Sequence, residues 1–189
     1  MTKYALLVGI NYRNTSSELK GCINDVNTIK NHLLKHRGYL NKNIVVLTED
    51  VNMKPTGKNI INELSKLILK AHSNKATELW FHYSGHGSYT RDINHDEKDG
   101  KDETIVPLDY KTAGMITDDD LHEYVKHLPD TCKLYCIFDC CHSGTILDLK
   151  YKYTGHNRNT VEHKDPRLKG NVIMISGCMD TQTSADALI

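Results

Sequence analysis

Short apolar runs alternate with amphipathic stripes along this chain, and that alternation restricts the fold more than any other feature. Residues 4–10 (Tyr-Ala-Leu-Leu-Val-Gly-Ile) are apolar without a break, the pattern of a strand buried on both faces. Leu19, Cys22, Val26, Ile29 and Leu33 follow at steps of three and four, a helical stripe that Gly38 ends. A second strand is expected at residues 44–47. Next comes a helix carrying Ile60, Ile61, Leu64, Leu67, Ile68 and Ala71, with Pro55 and Thr56 as its start signals. Residues 79–83 give a third strand. Residues 84–103 read as a long loop too polar to pack, of the kind that usually carries function. Residues 104–108 form a short extended piece, and Thr117 caps a third helix with Leu121, Tyr124, Val125 and Leu128 on one face. Residues 134–138 and 172–175 are the fourth and fifth strands, separated by a polar loop over 145–170. Strands alternating with helices predict an α/β fold with a mostly parallel sheet covered on both faces.

The bulk composition removes several function classes. The 189 residues suit one domain, and 24 basic side chains balance 24 acidic ones, so no net field draws the chain to nucleic acid or anionic lipid. No stretch approaches the apolar length of a membrane-spanning helix. Residues 5–10 are too short for a signal-peptide core, and Asn11-Tyr12-Arg13-Asn14 stands where a small-residue cleavage site would be. A cytoplasmic chain is therefore expected, with its six cysteines as reduced thiols. No C-x-x-C pair occurs, which argues against a zinc ribbon or a thioredoxin-like site.

The unusual short motifs fall just beyond the expected strands. Ser84-Gly85-His86-Gly87 follows the third, Asp139-Cys140-Cys141-His142-Ser143-Gly144 the fourth, and Ser176-Gly177-Cys178 the fifth. In open parallel sheets ligands bind beyond the carboxyl ends of the strands, so three sequence-distant motifs converge on one edge. A thiol attacks an amide only after losing its proton, and a neighbouring imidazole can take that proton and return it to the leaving amine. His86 and Cys141 sit in glycine-flanked loops suited to that task, with the Gly87 and Cys141 amides as candidate oxyanion donors. Packing at a strand end is the plain alternative for either residue, and a zinc site built from these His and Cys residues is the chemical one.

His82-Tyr83-Ser84-Gly85-His86-Gly87 and Asp139-Cys140-Cys141-His142-Ser143-Gly144 resemble the paired signatures of the metacaspases, in the caspase-fold clan of cysteine peptidases. Gly9-Ile10-Asn11-Tyr12, Gly21-Cys22-Ile23-Asn24-Asp25 and residues 176–186 match further segments in the correct order. The resemblance implies a caspase-like αβα sandwich over residues 1–189, acting as a monomer with His86 and Cys141 as the dyad. It also implies that a small-subunit segment is absent after residue 189. The competing reading is a non-catalytic regulatory caspase-like protein.

Asp25 and Asp139 are the acids closest to the motifs, and on its own Asp25 reads better as a solvated acid in the first turn of a helix. The resemblance makes Cys22, Asp25, Ser84 and Asp139 a pocket for the Arg or Lys before the scissile bond of a peptide or protein substrate. Asp92, Asn94 and Asp96 with Glu103 mimic an EF-hand loop but place Glu97 where glycine is required, so that reading is rejected. Asp118-Asp119-Asp120 reads as ordinary helix-start chemistry, although three adjacent carboxylates repel one another. The resemblance instead implies calcium activation through Asp102, Asp118, Asp119 and Asp148. Residues 150–169, with six Lys and Arg side chains among polar neighbours, are the expected target of self-processing.

Overall fold

The computed structural model describes residues 2–91, 101–141, 146, 147, 149 and 171–177, and the backbone of 151–154 and 157–160. Strand β1 (Lys3–Gly9) is followed by helix α1 (Cys22–His36), strand β2 (Ile44–Thr48), helix α2 (Gly57–Ser73) and strand β3 (Glu78–Ser84). Strands β4 (Gly87–Arg91) and β5 (Lys101–Ile105), the single-turn helix α3 (Tyr110–Ala113), strand β6 (Ile116–Thr117) and helix α4 (Asp118–Val125) come next. Strands β7 (Lys133–Asp139), β8 (Tyr151–Thr154), β9 (Asn157–Thr160) and β10 (Asn171–Ser176) complete the described elements.

The central sheet runs β10-β7-β3-β1-β2 and every pairing in it is parallel. Strand alternation divides its side chains into two cores. Leu6, Val8, Leu79, Phe81, Leu134, Cys136 and Phe138 point to one face, against Ile60 and Leu64 of α2 and Leu121 and Val125 of α4. Ala5, Leu7 and Trp80 point to the other, against Val26 and Leu33 of α1. The expected αβα sandwich is the observed architecture, because each helix stripe finds the apolar face it needs. The start signals also hold: the Thr56 hydroxyl accepts from the Asn59 amide, and Thr117 forms a reciprocal capping box with Asp120.

Three expectations are corrected. Residues 84–103 are not simply a loop, since β4 and β5 pair antiparallel and β6 extends them into a second, three-stranded sheet. A ladder is made by backbone groups, so its polar side chains do not forbid it. Ile105, Thr104, Glu103 and Asp102 are buried where β5 turns toward the core. Within 145–170, β8 and β9 also pair antiparallel. Leu19, counted on the first helical stripe, lies before α1 and packs on the core from the preceding loop.

His82 lies on the α1 side of β3, between Leu7 and Ile137 in register, with 2 % exposure. Its Nδ1 is buried without a hydrogen-bond partner, and burial pulls the imidazole pKa from 6.5 down to about 4. The unfolded chain therefore binds this proton at higher pH than the folded one. Stability is undiminished above pH 6.5 and falls as pH drops from there toward 4. The loss saturates at roughly 3 kcal/mol. His82→Leu should thus gain stability relative to the parent at pH 5 but not at pH 8, measured by urea unfolding at both. An equal difference at the two pH values would rule out a proton-linked cost at this position.

Candidate active site

The carboxyl ends of the central strands form one row. Gly9 of β1 pairs with Ser84 of β3, and Ser84 pairs with Asp139 of β7. On the same side as α1, the Ser84 hydroxyl donates to the Asp25 carboxylate at 2.8 Å. Asp25 is half-buried, and Cys22, one turn earlier on α1, is buried. Asp139 is exposed. A Cβ on Gly177 would stand 2.9 Å from the Asp139 Oδ1, so glycine there leaves the carboxylate its space. Four residues expected to share a pocket thus come from α1, β3 and β7 to one row carrying two carboxylates.

The loops after β3 and β7 meet beside this row. The Gly85 amide donates to the Asp139 carbonyl at 3.3 Å. A Cβ on Gly87 would overlap the Cys141 carbonyl oxygen, so the two segments touch backbone to backbone and only glycine fits between them. The vicinal thiols differ in access: Cys140 is 1 % exposed, whereas Cys141 is only partly buried. The remaining thiols of the sheet and its turns are suited to packing rather than chemistry. Burial pushes the Cys132 thiol up to about 11 and the Cys136 thiol higher still.

His86 is held by groups that sequence reasoning did not single out as site residues. Its Nε2 lies 2.7 Å from the Ser17 carbonyl oxygen. A carbonyl only accepts, so Nε2 carries the hydrogen and the neutral imidazole keeps its Nδ1 lone pair for another proton. The His86 amide donates to the Tyr12 hydroxyl at 3.0 Å, and the two rings pack with centroids 4.7 Å apart. A backbone carbonyl has no residue signature, so nothing in the sequence marks Ser17. Tyr12 was visible only as the end of a motif.

The acidic residues form a second centre at the junction of β5 and α4. Asp118 is 2 % exposed, and its two carboxylate oxygens accept from the amides of Glu103 at 3.0 Å and Asp119 at 2.8 Å. Asp102 is buried one residue before Glu103. Asp148 lies outside the described residues, and so do His142, Ser143, Gly144 and Cys178. Among the described residues, no group of three or more His, Cys, Asp or Glu is disposed to hold a metal, which leaves neither a zinc site nor a closed calcium shell there. The donor chemistry itself, the buried carboxylates of Asp102 and Asp118, suits a hard cation. Of the EF-hand mimic, residues 92–96 lie outside the described residues, and Glu103 falls in a β-strand where that motif requires a helix.

Known proteins similar to this chain point to one family. The metacaspase, peptidase C14 domain family model matches residues 3–150. Metacaspase-1 of Meyerozyma guilliermondii is 39% identical over 242 residues, covering 99% of this chain and 58% of the relative. Metacaspase-1 of Schizosaccharomyces pombe is 37% identical, covering 98% of this chain and 55% of the relative. The chain thus spans little more than half the length of these relatives. The crystal structure of protein GSU0716 from Geobacter sulfurreducens superposes with a TM-score of 0.71 over 99% of this chain and 76% of that one, and at 23% identity it speaks for the fold alone. With the matched span running from β1 through both the His86 and Cys141 loops, this chain belongs to the metacaspase family.

Proposed function

We propose that the chain is a cysteine endopeptidase cutting after Arg or Lys, with Cys141 as nucleophile and His86 as acid–base partner. The observation that carries the reading is the contact of Gly87 with the Cys141 carbonyl, which brings a partly exposed thiol to the loop of an imidazole with an available Nδ1. The thiol proton passes to Nδ1, and the sulfur attacks the scissile carbonyl carbon. The Gly87 and Cys141 amides receive the developing oxyanion. The imidazolium returns its proton to the departing amine, leaving a thioester that water hydrolyses. Asp25 and Asp139 supply the negative charge that a basic substrate side chain needs, and Ser84 orients Asp25.

Calcium is the proposed activator, held by Asp102, Asp118, Asp119 and Asp148. A bound ion would supply the positive charge that lets these carboxylates approach one another. Ligands drawn from separate segments favour weak binding, with a dissociation constant of about 10⁻⁴–10⁻³ M. At tenfold excess such a site stabilises the fold by only about 1.4 kcal/mol. Activity is therefore expected to respond to calcium far more than melting temperature does, and magnesium to replace it poorly because it demands a tighter octahedral shell. Residues 150–169 are the proposed self-processing segment.

The test is a calcium titration of chelator-treated protein on a fluorogenic Arg peptide, with intact mass followed in the same samples. Asp118→Asn run in parallel keeps an acceptor oxygen for the Glu103 amide while removing the charge. Full rate in excess chelator, or an unchanged calcium response in the variant, removes calcium from the reading. No cleavage of Arg or Lys peptides under any condition removes the peptidase and leaves the regulatory alternative.

A further inference from the structure

Tyr12 sits among the machinery without a role in the reaction just described. It occupies the left-handed backbone region at φ 50°, which a bulky residue rarely adopts, so its surroundings must hold it there. The Glu49 carboxylate, just past β2, does so. It accepts from three successive amides: Asn11 at 2.6 Å, Tyr12 at 3.1 Å and Arg13 at 2.9 Å. The Thr15 hydroxyl donates to the Tyr12 carbonyl at 2.7 Å. Every backbone polar group of Tyr12 is thereby satisfied in this one conformation.

What the conformation achieves is the aim of the side chain. The Tyr12 hydroxyl donates to the Val106 carbonyl at 2.6 Å, lies 3.1 Å from the Tyr83 hydroxyl, and accepts from the His86 amide at 3.0 Å. The Tyr83 hydroxyl in turn reaches the His86 carbonyl at 2.8 Å. Both ends of the His86 backbone are therefore bound to a buried pair of phenols, and burial raises the pKa of each, keeping them neutral donors. Gly85 permits the arrangement, since a Cβ there would stand 2.7 Å from the Tyr83 hydroxyl and 3.0 Å from that of Tyr12. The Tyr12 ring covers one side of the imidazole while the Ser17 carbonyl fixes its Nε2.

We infer that Tyr12, clamped by Glu49, is a positioning residue that sets the plane of the His86 imidazole for proton transfer with Cys141. The inference rests on the peptidase reading above. Its ring and its hydroxyl act separately, the first on the side chain of His86 and the second on its backbone. Misplacement of a reacting group by about 1 Å costs on the order of 10²-fold in rate, whereas substrate binding, which uses the other side of the row, is untouched.

The test compares Tyr12→Phe, Tyr12→Leu and Tyr39→Phe in the full chain. Tyr39 loses an equivalent buried hydroxyl, bonded to Glu78 at the opposite end of the sheet, and serves as the matched stability control. Tyr12→Phe should lower kcat about tenfold and Tyr12→Leu about a hundredfold, with KM within about twofold in both. Tyr39→Phe should leave kcat unchanged at a similar loss of melting temperature. The ring-current displacement of the His86 carbon-bound protons, assigned by their disappearance in His86→Gln, should survive in Tyr12→Phe and vanish in Tyr12→Leu. An active parent whose Tyr12 variants lose no more kcat than Tyr39→Phe overturns the inference. If the parent cleaves nothing, the peptidase reading has failed instead. The His86 resonances then decide the positioning alone: unmoved resonances in Tyr12→Leu overturn it, and displaced ones sustain it.

Discussion

Cys141→Ala is expected to reduce cleavage of an Arg peptide by roughly 10⁴-fold or more, to the background, while Cys140→Ala retains activity within about threefold. Nucleophile deletion removes the covalent route altogether, and the oxyanion donors and binding pocket then act on water alone. The neighbouring thiol cannot substitute. Cys140 is 1 % exposed, and its Cβ lies 3.3 Å from the place a Gly87 Cβ would take, so it faces the loop contact and not a substrate. Its deletion leaves a cavity of one sulfur atom and costs about 1 kcal/mol of stability. Rates of both purified variants on one substrate decide the matter. Mass-resolved alkylation gives a second reading, because a trapping reagent with Arg at the cleaved position should label residue 141 alone. A dead Cys140 variant beside a live Cys141 variant would exchange the roles.

The central sheet was legible because each of its strands is an apolar run, and the motifs were legible because glycine and reactive side chains together are rare at strand ends. Asp25 and Ser84, 59 residues apart, were joined in the sequence only by family resemblance, and in the structure a hydrogen bond joins them. The small antiparallel sheet was missed for a physical reason. Thr90 pairs with Asp102 and Tyr89 with Glu103, pairings made by backbone groups that no hydrophobic pattern reports. The supports of His86 were hidden in a different way. Ser17 contributes a carbonyl, and Tyr12 acts from a turn whose geometry is imposed by Glu49, 37 residues away. Local propensity would place a Tyr in extended structure, and tertiary contacts override it.

Asp139→Ala is expected to lower kcat/KM for an Arg peptide by about thirtyfold or more. Asp139 is exposed in the free protein, so its removal empties no core position. Its main effect arises when a substrate side chain covers it. The pair is then desolvated, and deleting one partner of such a pair costs about 2–5 kcal/mol. Asp25 differs, because its carboxylate already accepts from Ser84 and is half-buried. Asp25→Asn keeps an acceptor for that hydroxyl while losing the charge, so it should weaken Arg recognition with little structural cost. A citrulline peptide separates charge from shape, being nearly isosteric with Arg but neutral. The parent should favour Arg over citrulline strongly, Asp139→Ala should shrink that ratio, and the Asp25→Asn/Asp139→Ala pair should bring it close to unity. The two carboxylates face one row through Ser84. Each charge partly compensates for loss of the other, so the double variant should lose more than the sum of the two single losses. A parent that ranks Asp first among residues before the scissile bond, or an Arg-to-citrulline ratio indifferent to both acids, would show that the row serves something other than a basic side chain.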